Sequence, residues 1–107
     1  MTNLDTTIDL MKALAHDARL RIVCLLKDGE LSVNEITQVM QQSQPRVSQH
    51  LKTLCDSGIL ERFREQHHIY YRLPSQGDIS QLLAHLFDFI PGNDEQIQSD
   101  NERLSQV

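Results

Sequence analysis

Apolar residues return at helical intervals along most of the chain. Leu4, Ile8, Met11 and Leu14 mark an amphipathic helix that ends near Ala15. Asp17 is the expected N-cap of a second helix over 18–27, where Leu20, Val23, Cys24 and Leu26 form a broad apolar face before Gly29 stops it. Ser32-Val33-Asn34-Glu35 has the spacing of a capping box and opens a short third helix, ending by Gln41, with Val33, Ile36, Val39 and Met40 inward. The polar break Gln41-Gln42-Ser43 precedes a fourth helix over 44–57, with Ser43 as cap, Pro45 in the first turn and Gly58 at its end. Val47, Leu51 and Leu54 take one side of this helix, so the other presents Pro45, Gln49, Lys52 and Thr53, flanked by Arg46 and Ser48.

Beyond Gly58 the rhythm changes. Segments 60–64 and 69–73 are rich in branched, aromatic and arginine residues and enclose Glu65-Gln66-His67-His68, which predicts a two-stranded hairpin with a polar tip. A last helix follows, in which Ile79, Leu82, Leu83, Leu86, Phe87 and Ile90 repeat almost without fault until Pro91-Gly92. Its apolar face needs a partner. Residues 92–107 have only Ile97, Leu104 and Val107 as apolar members and are expected to form an acidic, solvated tail or linker, leaving 1–91 as one domain. The predicted class is mainly α with a small β-hairpin, and two short helices joined by a tight turn before a hairpin make the plan of a winged helix-turn-helix.

Composition narrows the functions. A chain of 107 residues, 39% hydrophobic with four Gly and three Pro, makes one globular domain with a small core, and pairing with a second copy is a natural source of stability. No apolar run reaches the roughly 20 residues of a membrane span, and the N-terminus lacks a signal-peptide pattern, so a cytoplasmic location and no membrane partner are expected. Cys24 and Cys55 are too few for a disulfide scaffold and wrongly spaced for a zinc knuckle.

The net charge of −5 argues at first against a polyanionic partner, but it is unevenly spread: −2 over 1–42, +2 over 43–73 and −5 over 74–107. Charge acts locally under salt screening of about 8–10 Å, so the middle segment can meet DNA. A helix fits the major groove, where Gln44, Arg46 and Gln49 can read base edges, while Ser43, Ser48 and Lys52 suit phosphates and Pro45 starts the same face. Arg62 and Arg64 add the hairpin's contacts to neighbouring backbone or minor groove, with His67 at the tip beside His68. His50, between the apolar side and Arg46, takes a packing or phosphate role, and His16 a structural one. The alternative is a winged-helix interaction module that binds protein rather than DNA. There is no Gly-rich phosphate loop, nucleophile elbow or coherent acid-base pair, so no enzyme is expected.

Several segments in order, Leu14-Ala15-His16-Asp17-Ala18-Arg19-Leu20-Arg21-Ile22, Glu30-Leu31-Ser32-Val33-Asn34-Glu35-Ile36, Ser43 through Leu54, Gly58-Ile59-Leu60-Glu61-Arg62 and Tyr70-Tyr71-Arg72-Leu73, resemble the ArsR-type (ArsR/SmtB) bacterial repressors over about residues 8–90. The resemblance implies a homodimer joined through the first and last helices, binding an imperfect inverted repeat in a double-stranded operator until an effector releases it. On that reading Leu4, Ile8, Met11, Ile79, Leu82, Leu83, Leu86 and Ile90 form the interface. Arsenic and cadmium sensors of the family use a Cys-x-Cys where this chain has Ser32, Val33 and Asn34, so that site is absent. Of the zinc-sensor pattern on the last helix only His85 and Asp88 remain, as weak metal candidates, and no cofactor is expected. Cys24 reads as a small core residue and Cys55 as half-buried beside the face of Val47, Leu51 and Leu54, with a thiol sensor as the sharper alternative. Gln42-Ser43-Gln44-Pro45-Arg46 and the ending Phe89-Ile90-Pro91-Gly92-Asn93-Asp94 also look like the regulator half of proteins in which an ArsR-type domain precedes a methyltransferase, which would make 92–107 a linker.

Overall fold

A computed structural model describes residues 3–107. Six helices, α1 (Leu4–Leu14), α2 (Asp17–Leu25), α3 (Val33–Met40), α4 (Gln44–Asp56), α5 (Asp78–Phe89) and α6 (Glu95–Leu104), surround one core, with strands β1 (Leu31–Ser32), β2 (Glu61–Glu65) and β3 (His68–Arg72) at one side. Ile22, Val23, Ile36, Val39, Val47, Leu51, Leu54 and Ile59 are fully buried, so α2, α3 and α4 supply the centre of the core.

Local chemistry sets the element ends. Ser32 Oγ accepts from the Glu35 amide while Glu35 Oε1 accepts from the Ser32 amide, closing the predicted capping box at the start of α3. The cap of α2 differs from expectation: His16, in extended backbone, accepts through Nδ1 from the Ala18 amide, and Asp17 sits inside the first turn. At the end of α4 the Ile59 amide reaches the Leu54 carbonyl and the Gly58 amide that of Cys55, a Schellman motif in which Gly58 supplies the left-handed φ of 79°. Ile59 and Leu54 are both buried, so the same motif points the chain out of α4 and into β2.

The sheet holds one strand more than the hairpin. Its order is β1-β3-β2, all antiparallel, with Leu31 opposite Tyr71 and Ser32 opposite Tyr70. A strand of only two residues has no period to read, and its sequence already served the capping box of α3. The hairpin pairs Glu61 with Arg72 through Glu65 with His68, and Gln66 turns it with a φ of 58°.

The larger correction lies at the C-terminal end. The expected solvated tail contains helix α6, capped by Asp94 accepting from the amides of Gln96 and Ile97 and packed across α2 and α3. Its inner stripe is Ile97, Asp100 and Leu104, and the central residue is an acid that is 2% exposed. Such a stripe reads as polar until its partners are known.

Candidate nucleic-acid interface

The turn Gln41-Gln42-Ser43 links α3 to α4. Gln41 closes α3 in left-handed backbone (φ 56°), and Ser43 Oγ accepts from the Arg46 amide at 3.3 Å, which starts α4 with Pro45 in its first turn. Val47, His50, Leu51 and Leu54 anchor α4 to the core, and Gln44, Pro45, Arg46, Ser48, Gln49 and Lys52 stand exposed with Ser43. No acid occurs between Ser43 and Cys55. Lys52 Nζ pairs with Asp56 at 2.8 Å, and this hydrogen bond raises the Lys52 pKa. Both side chains are about two-thirds exposed, so the pair is weak and a phosphate can replace Asp56.

His50 is not on that face. It is 8% exposed and packs its ring 4.7 Å from that of His16, with Arg19 Nη1 at 3.4 Å from its Nδ1. Arg19 also donates to the carbonyl of Ala13 at 2.7 Å, so the three side chains join the end of α1, the start of α2 and the middle of α4. His50 Nε2 is buried without a hydrogen-bond partner among the described residues. Its position was legible: with Val47, Leu51 and Leu54 it completes the i, i+3, i+4, i+7 stripe.

Burial, and then His16, Arg19 and Arg46, push the His50 pKa below its ordinary value of 6.5, against a smaller pull upward from Asp17. The folded state therefore prefers the neutral ring. Its contribution is present above the unfolded value and is lost as the pH falls from there through the folded one. Urea midpoints at about pH 7.5 and pH 5.5 should drop more on acidification for the wild type than for His50→Gln. Equal drops would assign the acid sensitivity to other groups.

The hairpin has two chemically different faces. On one, Phe63 stacks on Tyr70 at 5.7 Å, Arg72 lies 4.5 Å above the Phe63 ring, and Arg72 Nε donates to Glu61 at 3.0 Å. These contacts stiffen the hairpin and occupy Arg72. Arg62 and Arg64 alternate with Phe63 and are exposed on the other face, and His67 is exposed at the tip. Arg62 lies near Cys55 and Tyr71, where its charge works against the rise that burial causes in both pKa values.

The remaining candidates divide. Cys24 and Cys55 are half-buried, and burial raises both thiol pKa values, an environment that disfavours the thiolate a redox sensor needs. His85 and Asp88 are exposed on α5, and no group of three or more His, Cys, Asp or Glu is placed to hold a metal among the described residues. Leu4, Ile8 and Met11 form an exposed stripe on α1, while Ile79, Leu82, Leu86 and Ile90 of the last-helix set are half-buried. Leu83, expected at the subunit interface, is 2% exposed within the protomer's own core. Phe89, absent from the sequence-based set, is 84% exposed. Its signal was its place three residues after Leu86 and seven after Leu82, on the outer stripe of α5.

Residues 16–62, from the α2 cap to the start of the hairpin, match the model of the bacterial regulatory protein arsR family. The biofilm growth-associated repressor of Xylella fastidiosa is 39% identical over 88 residues, which are 82% of this chain and 76% of that protein. The chain belongs to the ArsR family. The arsenic resistance transcriptional regulator ArsR1 of Pseudomonas putida is 36% identical over 92% of this chain and 77% of its own. Among solved structures, the transcriptional repressor BigR from Xylella fastidiosa aligns with a TM-score of 0.71 at 38% identity, covering 80% of this chain and 84% of that one. A homodimeric winged helix-turn-helix DNA-binding domain from Mycobacterium bovis aligns with a TM-score of 0.73 at 32% identity, covering 80% of this chain and 79% of that one. This ArsR-family chain is thus a winged helix-turn-helix DNA-binding regulator, in which α3 and α4 form the helix-turn-helix and β2–β3 the wing. None of its described helices is long and apolar enough to cross a membrane.

Proposed function

We propose that this chain acts in the cytoplasm, without enzymatic activity, as a homodimeric repressor that occupies an inverted-repeat operator and leaves it when an effector binds. The observation that carries the reading is the exposed, acid-free start of α4, held by the Ser43 cap and the buried Val47, Leu51 and Leu54. Arg46, Gln49 and Gln44 read base edges in the major groove, and Ser43, Ser48 and Lys52 contact phosphates beside them. Arg62, Arg64 and His67 extend the contact from the wing. Two such units, joined by α1 and α5 about a two-fold axis, set two recognition helices one DNA turn apart. Repression follows from occupancy of the promoter.

The test is fluorescence anisotropy on operator duplexes with single base-pair changes. Arg46→Ala or Gln49→Ala should cost about 1–3 kcal/mol and relax preference at particular positions. Arg64→Ala should weaken binding to every duplex and reduce the salt slope by about 1. A uniform loss on all duplexes for Gln49→Ala would remove α4 from the groove. A promoter reporter fixes the sign, since a relative from Vibrio cholerae, 41% identical over 62% of this chain, is the transcriptional activator HlyU.

A further inference from the structure

Helix α6 is joined to the rest of the fold by a buried ion cluster as well as by apolar contact. Asp100 accepts from Arg21 Nε and Nη2 of α2, both at 2.9 Å, from Arg103 Nη2 at 2.8 Å and from Gln96 Nε2 at 3.0 Å. The two arginines and Gln96 thereby satisfy both oxygens of a buried carboxylate, and the fork of Arg21 binds it in bidentate fashion. Ile97 and Leu104 are only half-buried. Cavities of about 180 and 440 Å³, both lined by Ile90, Pro91 and Ile97, flank the first half of α6. The cluster centred on Asp100 thus reaches from Gln96 in the first turn of α6 to Arg103 in the last.

Arg103 carries the clamp to the helix-turn-helix. Its Nε donates to the Val39 carbonyl at 2.7 Å, and its Nη1 to Ser99 Oγ at 2.7 Å. Val39 lies in the last turn of α3, where carbonyls have no partner within the helix and no basic side chain of α3 itself is present. Arg103 therefore supplies from α6 both a hydrogen bond and the positive charge that a helix C-terminus favours. The next residues are Met40 and the turn Gln41-Gln42-Ser43 that sets the direction of α4.

We propose that α6 is a latch on the helix-turn-helix and that Asp100 and Arg103 are positioning residues for DNA binding. This rests on the DNA-binding reading above. Docked, α6 braces the end of α3, so the turn holds α4 at its groove-reading angle. Released, α3 loses its cap, the turn loosens and operator affinity falls. A buried ion cluster suits such a device, because its net stabilisation is modest while removal of one partner is strongly unfavourable.

The experiment compares the wild-type chain with Asp100→Asn and with Arg103→Met, which leaves the Arg21–Asp100 pair in place. Amide hydrogen exchange reads α6, sedimentation reads the oligomeric state, and anisotropy at several salt concentrations reads binding to operator and scrambled duplexes. The expected result is loss of protection in α6, retained protection in α2 and α5, an unchanged oligomeric state and an operator affinity at least about tenfold lower. The salt slope should stay unchanged, since no phosphate contact is removed. Released α6 with wild-type affinity would overturn the latch, as would variants in which α6 stays docked or the salt slope falls. Should Asp100→Asn fail to fold, Arg103→Met alone decides by the same readouts. Equal binding of the wild type to both duplexes would instead count against the operator reading.

Discussion

Phe89→Glu combined with Ile8→Glu is expected to turn the protein into a 12.3 kDa monomer and to lower operator affinity by about 10²–10⁴-fold. Phe89 is 84% exposed and Leu4 73%, with Ile8 and Met11 above 40%, so both helices present large apolar side chains outward. On α1 the residues 4, 8 and 11 fall on one stripe, and on α5 the residues 82, 86 and 89 do the same. Met11 and Leu82 line one surface depression, so the two helices meet there. A glutamate at each outer position leaves the protomer core untouched and puts charge on the apolar stripes proposed to face the second copy. The affinity loss follows because a monomer engages one half-site and forfeits the gain of linked binding. Sedimentation and anisotropy on the same samples check it, and a variant that stays dimeric would move the interface elsewhere.

Leu83→Glu should do something different, namely unfold the protein. Leu83 is 2% exposed and belongs to the buried cluster of residues from α1 to α4 with Leu26, Ile59 and Leu60. Removing a buried leucine side chain costs about 2–5 kcal/mol, and burying an unpaired carboxylate adds several more. Together these approach the 5–15 kcal/mol that typically separates folded from unfolded domains. Far-UV circular dichroism should show loss of helix at 25 °C, with no cooperative thermal transition. A well-folded monomer with native melting would return Leu83 to the subunit interface.

The contrast between Leu83 and Phe89 shows what the hydrophobic period conveys and what it omits. The repeat over 79–90 located α5 and its apolar character, but one broad apolar face serves both the protomer core and an outer stripe. The period alone does not divide them. In α3 and α4 the reading went further, because capping residues at Ser32, Glu35 and Ser43 fix the helix starts and Val47, Leu51 and Leu54 fix the rotation of α4. That rotation puts Arg46, Ser48, Gln49 and Lys52 outward, and of the two roles open to His50, packing and phosphate contact, its 8% exposure selects packing.

The least legible part was α6. Its signals, the Asp94 cap, Glu95 in the first turn, Ile97 and Leu104 seven apart and Arg103 in the last turn, are each present in the sequence. The central inward position is Asp100, however, and the residue that makes its burial tolerable is Arg21, 79 positions earlier. Local pattern has no means of pairing them. β1 was hidden for a related reason, since its two residues gain strand identity only by lying against Tyr70 and Tyr71.

The measurement that bears most directly on the regulator is the titration of a labelled duplex, taken from the DNA upstream of its own gene, against a scrambled duplex at two salt concentrations, with stoichiometry read by sedimentation. Two chains per operator, selective binding and steep weakening with salt are the predicted result. Weak and equal binding to both duplexes would contradict it.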